Sequence, residues 1–247
     1  MTTRLITRIN DYVKTIKENG LMKKERNATY FLIRHSGEID KNPAKELAKL
    51  KRAIPLVQKR AGNAYSEIGK IMLTMKAYKI SVDICAKHTA SVNENIFDEA
   101  EKFINSLENK GKNEKSVANY IAEIYTIRCM QLLESTNLRS NSYQKHNSRM
   151  ASEAVELGKK AVEYAEIAHV RAVDVYSAKY ALALARAHQI VSHKNELGLK
   201  GTQVEEGKFD VGFVLKMKNG EISIPNEKID SVLKELEHEL SSLPKNA

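Results

Sequence analysis

The stretch from residue 64 to residue 88, AYSEIGKIMLTMKAYKISVDICAKH, constrains the fold more than any other. Its large and small side chains recur at intervals of three and four residues, which is the period of a helix. The pattern predicts two short helices back to back. The marker residues are Tyr65, Ile68, Gly69 and Met72 in the first helix, and Tyr78, Ser81, Val82 and Cys85 in the second.

The rest of the chain also favours helices, because only four Pro and eleven Gly interrupt its 247 residues. With 42% apolar and 29% charged residues, the chain can bury a core, and wholesale disorder is not expected. A helix is expected to begin at Pro43, where the missing N–H of proline costs nothing, and to break at Pro55. Further helices are predicted after Thr3 and over 26–40, 96–107, 117–134 and 172–192.

The spacing in 64–88 resembles one tetratricopeptide repeat, in which a large residue, Leu-Gly and an aromatic form a first helix and a small residue opens a second. Residues 152–163, SEAVELGKKAVE, resemble the second helix of another repeat, with Ala154 in the place of Ser81. These positions are 73 residues apart, close to two repeats of about 34 residues. The resemblance covers 64–192 in a degenerate form and implies stacked helix pairs. An irregular helical bundle accounts for the same apolar pattern.

The C-terminal part changes character at VGFVLKMKNGEISIP. Asn219-Gly220 between alternating apolar residues is a strong hairpin signal, and a two-residue loop pairs Lys218 with Glu221. Asn226 is then expected to cap a closing amphipathic helix. The apolar seam of that helix is Ile229, Val232, Leu233, Leu236 and Leu240.

These patterns predict an all-α, mostly antiparallel helical array that is tetratricopeptide-like in the middle and ends in one C-terminal β-hairpin and a closing helix. Three segments are expected, either as parts of one domain or separately. They are a basic N-terminal helical segment over 1–60, the tetratricopeptide-like region over 61–194, and the hairpin with its closing helix over 195–247.

The net charge of +9 is concentrated in the first third of the chain. Residues 1–91 contain 19 Lys/Arg and 8 Asp/Glu, a net +11, whereas residues 92–247 contain 21 and 23, a net −2. Such asymmetry is typical of a protein that docks an anionic partner, most often nucleic acid, at one end. A lysine-rich solvated surface is the alternative. The predicted anion-binding residues are Lys45, Lys49, Arg52, Lys59 and Arg60.

Patterns for metal binding and catalysis are weak. Glu166 and His169 form a single Glu-x-x-His, whereas a di-iron bundle needs two copies and two further Glu residues. Cys85 and His88 lie one turn apart and supply only half of a zinc site. No glycine-rich phosphate loop is present in the sequence. We therefore predict no catalytic residue, no metal and no cofactor.

Arg139 and His146 have the Arg-x6-His spacing of helical RNases of the HEPN type, in which the pair cleaves RNA without a metal. The motif lies on a helix in that family. Here the intervening Ser140, Asn141 and Ser142 predict a loop. A HEPN-like RNase is therefore the third functional hypothesis.

The leading hypothesis is a non-catalytic helical binding or adaptor protein that binds a protein partner or a second copy of itself, with a basic N-terminal surface for an anionic partner. The second is a subunit of a ribonucleoprotein or defence complex that binds RNA or DNA. No apolar run approaches the ~20 residues of a membrane span, and the two cysteines and the N-terminus favour a reducing, cytoplasmic compartment. A groove for a peptide is expected to be lined by Tyr65, Tyr78, Tyr120, Tyr176 and Tyr180.

Overall fold

The computed structural model describes residues 10–11, 14, 23–35, 42–59, 64–89, 96–136, 138, 144–168, 172–197 and 208–244. All regular secondary structure in these residues is helical, which confirms the all-α prediction. Most of the predicted opening helix lies outside them. The chain divides into two compact units, unit 1 (Met1–Ile124) and unit 2 (Tyr125–Ala247). None of the described helices is long and apolar enough to cross a membrane.

The helices whose bounds lie within the described residues divide between the two units. In unit 1 they are α1 (Lys23–Arg34), α2 (Pro43–Gln58), α3 (Ala64–Lys87), α4 (Ile96–Ser106) and the short α5 (Asn109–Lys112). Helix α6 (Lys115–Glu134) begins in unit 1 and ends in unit 2. Unit 2 continues with α7 (Gln144–Ala168), α8 (Ala172–Glu196), α9 (Val211–Lys218), a 3₁₀ turn (Asn226–Lys228) and α10 (Ile229–Ser242).

Helix α2 starts where the sequence predicts, with Pro43 in its first turn and the Asn42 side chain accepting a hydrogen bond from the Lys45 backbone N–H at 3.0 Å. The predicted break at Pro55 is wrong, because α2 continues to Gln58. Pro55 is exposed while its neighbours Ile54 and Val57 are buried. Burial of the opposite face therefore outweighs the hydrogen bond that proline cannot make.

The prediction of two short helices in 64–88 is also wrong, because α3 is one continuous helix of 24 residues. Ser81, read as the small residue that opens a second helix, donates its hydroxyl hydrogen to the Ala77 carbonyl at 2.8 Å and so is satisfied inside the helix. The residues around it are buried on several faces, including Leu73 and Met75. A repeat of about 34 residues has no room for two helices of this length. The described helices give no evidence for a tetratricopeptide-like repeat.

Unit 2 is built on the antiparallel pair of α7 and α8. Ser152 of α7 lies beside Gln189 of α8, with the amide nitrogen 3.3 Å from the hydroxyl, while Gly158 lies beside Leu182. Small residues on both helices allow this close approach. Buried examples are Ala154, Ala161 and Ala165 on α7, and Ala178, Ala181 and Ala185 on α8.

Helix α10 closes unit 2 by packing along α8 in a parallel direction. Lys179 pairs with Asp230 at 2.8 Å near the start of α10, and Lys194 pairs with Glu239 at 2.6 Å near its end. Its predicted seam faces inward only in part. Ile229, Leu233 and Leu236 are buried, while Val232 and Leu240 are half-buried. Asn226 does not cap the helix but belongs to the preceding 3₁₀ turn.

The predicted β-hairpin is replaced by a helix and its C-cap. Residues 211–218 form α9, whose N-terminus is capped by the Asp210 carboxylate accepting from the Phe213 N–H at 2.6 Å. Gly220 has a φ of 73°, its N–H bonds the Met217 carbonyl at 3.1 Å, and the Glu221 N–H bonds the Lys216 carbonyl at 2.8 Å. This is a Schellman motif. Glycine at positive φ serves this cap as readily as a hairpin turn, and Asp210 decides between them.

Replacing Gly220 by Ala is expected to lower the free energy of unfolding by about 1 kcal/mol, because a Cβ disfavours the left-handed backbone. The space around Gly220 is open, so the loss comes from the backbone alone. Gly220→Asn should lose less, since Asn tolerates this conformation. Urea denaturation followed by circular dichroism measures both. An equal decrease in the free energy of unfolding in the two variants would contradict the role of Gly220 as the left-handed residue of the C-cap.

Candidate functional site

The exposed face of α2 holds three of the predicted cationic residues in a line. Lys45, Arg52 and Lys59 are exposed and follow each other at seven-residue intervals, about 10 Å apart along the helix axis. Ala48 and Pro55 are the exposed residues between them, so no acid interrupts the line. We call this set, Lys45, Ala48, Arg52, Pro55 and Lys59, the cationic stripe.

The other predicted basic residues differ in environment. Lys49 is half-buried beside the stripe, with its Nζ 3.0 Å from Glu46 Oε2. Lys59 has its Nζ 4.0 Å from Glu25 Oε1, and Arg60 lies outside the described residues. Lys45 and Arg52 make no ion pair with any carboxylate in the described part of the chain. These two are the stripe's free cations.

A buried hydrogen-bonded pair joins α2 to the end of α1 behind the stripe. His35 Nε2 donates to Glu46 Oε1, and both side chains are only 5% exposed. Burial alone would raise the pKa of Glu46. The hydrogen bonds from Lys49 and His35 outweigh burial and hold its pKa below the ordinary value. Glu46 is therefore an ionised, structural carboxylate.

The five predicted groove tyrosines are divided between the units. Tyr78 is buried and packs against Phe103 with ring centroids 5.7 Å apart, and burial raises the pKa of Tyr120 to about 12. Tyr65 lies in α3, but its side chain is outside the described part. In unit 2, the ring centroids of Tyr176 and Tyr180 are 6.0 Å apart.

The hydroxyls of these two unit 2 tyrosines are used inside the fold. Tyr176 donates to the Ile224 carbonyl at 2.7 Å, and the Tyr180 hydroxyl lies 3.0 Å from the carbonyls of both Met217 and Ile222. They hold the chain after α9 against α8. A peptide groove lined by all five tyrosines stays a prediction.

A cleft of about 450 Å³ in unit 2 contains side chains that the sequence does not single out. Helix α8 supplies His188, α9 supplies Lys218, and the end of α6 is followed by Thr136. The remaining lining residues are Leu138, Gly212, Leu215, Lys216, Asn219 and Glu221. A histidine in the largely apolar run ALALARAHQIV is the sequence signal that marks this position.

The hydrogen bonds of His188 fix which ring nitrogen carries the proton. The Thr136 hydroxyl donates to the Leu133 carbonyl at 2.7 Å, so it accepts from His188 Nδ1, 3.2 Å away. Nε2 is then an acceptor, and it is buried without a hydrogen-bond partner among the described residues. Burial, reinforced by the nearby Lys218 charge, lowers the pKa of His188 to about 3. The imidazole is neutral at physiological pH.

Thr136 and His188 form a structural hydrogen bond and are not arranged as a nucleophile and its general base. The Thr136 hydroxyl proton points away from His188, and an imidazole with so low a pKa is a poor general base. Burial also raises the pKa of the Cys129 thiol to about 12, so it stays protonated. Within the described ranges no three His, Cys, Asp or Glu residues group as metal ligands.

The Arg139 and His146 pair of the RNase hypothesis is only half described. His146 is exposed in the first turn of α7, whereas Arg139 lies outside the described residues. Helix α7 begins at Gln144, two residues before His146. The pair stays a prediction.

Comparisons with protein-family models, with curated proteins and with solved structures find no match to this chain. Its function is therefore inferred from the geometry of its own residues.

Proposed function

We propose that this chain is a non-catalytic helical binding protein, an adaptor that engages an acidic segment of a protein partner through the cationic stripe on α2. The observation that carries the proposal is the acid-free stripe itself. Lys45 and Arg52 are solvent-exposed on a rigid helix, and neither is engaged by a described carboxylate. Cations left free on one face attract an anionic surface and set the orientation in which it docks.

The placement of the stripe supports a docking role over a merely solvated surface. The same helix pairs its other accessible cations internally, because Lys49 contacts Glu46 and Lys51 Nζ lies 3.9 Å from Glu99 Oε1. Lys59 Nζ lies 4.0 Å from Glu25 Oε1, so the stripe charges that stand outside the described ion pairs of unit 1 are those of Lys45 and Arg52. Removing them should change binding without unfolding the protein.

Nucleic acid is the second candidate partner, and one observation on α1 favours it. Tyr30 is 36% exposed, and no other large hydrophobic side chain is as exposed in the described part of the chain. Arg34 is exposed one turn later on the same face. An exposed ring beside a cation is the arrangement on which single-stranded bases stack.

The test is fluorescence anisotropy of the whole chain with three labelled probes, a poly-glutamate peptide, a single-stranded RNA and a duplex DNA. For the adaptor, we expect the peptide to bind and the Lys45→Glu, Arg52→Glu double variant to lose that binding. If the duplex is the partner and all three stripe cations contact phosphates, raising the salt from about 50 to 200 mM should lower the affinity about 40-fold.

The matched control is Lys102→Glu with Lys115→Glu, two exposed residues of unit 1 outside the stripe. It makes the same change in net charge, so it separates a docking surface from general attraction. If both double variants lose the same amount of binding, the probes are attracted by net charge and the stripe is not a docking surface. No binding of any probe at low salt would contradict both candidates.

A further inference from the structure

The cleft in unit 2 has the size and composition of a small-molecule site. Its volume of about 450 Å³ falls in the range of ligand pockets. Leu138 and Leu215 provide apolar wall, while His188 and Lys218 provide polar groups. All of these residues belong to unit 2, whereas the cationic stripe belongs to unit 1. A ligand here is independent of the proposed docking function.

His188 supplies an unused hydrogen-bond acceptor in the cleft wall. The residue is 1% exposed, and its Nδ1 is already bonded to Thr136. Its Nε2 has a lone pair and is buried, and none of the described residues bonds it. A buried acceptor left unpaired costs about 1–3 kcal/mol, and a leucine would avoid that cost. Because His188 lines the cleft, a hydroxyl or N–H group bound there could supply the missing donor after a small shift of the ring.

Lys218 places a positive charge beside this acceptor. Its Nζ donates to the Leu133 carbonyl at 2.9 Å and to the Glu134 carbonyl at 3.3 Å, which caps the end of α6. An ammonium has three hydrogens, so one remains after these two bonds. Lys216, also in the lining, is exposed at the rim. The cleft therefore combines a neutral acceptor with two cations, and Glu221 is the acid of its lining.

We propose that this cleft binds a small organic hydroxy acid. The hydroxyl donates to His188 Nε2, the carboxylate lies near Lys216 and Lys218, and the apolar body rests on Leu138 and Leu215. The hydroxyl, the carboxylate and the apolar body of this ligand would each contact a different group of lining residues. An acid without the hydroxyl leaves Nε2 unpaired, and a neutral analogue leaves the cations uncompensated.

The proposal is tested by NMR titration of the whole chain with 4-hydroxybenzoate, which carries both groups on an apolar ring. Benzoate lacks the hydroxyl, and 4-hydroxybenzamide lacks the negative charge. We expect 4-hydroxybenzoate to shift the His188 ring nitrogens saturably and to bind about tenfold more tightly than either analogue, the equivalent of one hydrogen bond.

His188→Leu should remove the preference for 4-hydroxybenzoate over benzoate while the protein remains folded. His238→Leu, an exposed position on α10, is the matched control and should keep the preference. Equal binding of the three compounds, or no saturable shift at the cleft, would overturn the proposal. The ligand series on the unaltered chain gives this answer even where His188→Leu does not fold.

Discussion

Replacing Gly158 by Leu should lower the free energy of unfolding of unit 2 by about 3 kcal/mol. Gly158 lies directly against the backbone of α8 at Leu182. A Cβ at this position would lie 3.1 Å from both Cα and Cδ1 of Leu182, and 3.2 Å from its Cβ. Since Cα is backbone, a rotamer change at Leu182 cannot relieve the clash. The two helices would have to separate, and the buried alanines between them would lose contact.

The measurement is urea denaturation followed by circular dichroism, with hydrogen exchange of the α8 amides to assign the loss to unit 2. Glu153→Leu is the control, because Glu153 is exposed on the same helix and the substitution adds the same side chain. It should change stability by no more than about 0.5 kcal/mol. Similar losses in the two variants would mean that α7 and α8 do not need their close approach.

The features that the sequence predicts correctly are those whose signals are local. Asn42-Pro43 marks the start of α2, because a side-chain cap and a proline in the first turn act within four residues. The seam of α10 follows from its period. The stripe is predictable only in part, because seven-residue spacing puts Lys45 and Arg52 on one face. The break predicted at Pro55 separates Lys59 from them, and the structure corrects it.

The errors arise where one local signal fits two structures. Asn219-Gly220 suits a hairpin turn and a helix C-cap equally well, since both need positive φ at glycine. The choice comes from Asp210 and from Tyr180, which contacts the chain on both sides of the cap. In α3, burial on several faces erases the amphipathic pattern that would have shown one long helix.

The chemically distinctive groups could not be predicted, because each depends on partners brought together by tertiary packing. His35 and Glu46 are 11 residues apart and on different helices, while Thr136 and His188 are 52 residues apart. Local sequence gives no sign of either pairing. His35 directly follows the exposed Arg34, yet its own side chain is buried against a carboxylate.

The His35–Glu46 pair makes unit 1 sensitive to acid, and the direction follows from the pKa of Glu46. Hydrogen bonds from Lys49 and His35 hold that pKa below its unfolded value, so the folded state binds the proton less readily. The carboxylate therefore contributes stability above the unfolded pKa, about 4.3 for glutamate. That contribution is lost as the pH falls through the folded pKa.

Glu46→Ala is expected to lower the free energy of unfolding at pH 7 by about 3 kcal/mol, because it removes the buried carboxylate to which His35 and Lys49 bond and opens a void. Glu46→Gln keeps the size and an acceptor oxygen, so it should lose only about 1 kcal/mol. Below pH 5, the Gln variant should lose less stability than the unaltered chain, since position 46 no longer titrates. Urea denaturation across pH 3 to 7 measures both effects. If the Gln variant and the unaltered chain lose stability in parallel as the pH falls, the acid sensitivity of unit 1 lies at other carboxylates, and the role assigned here to Glu46 is wrong.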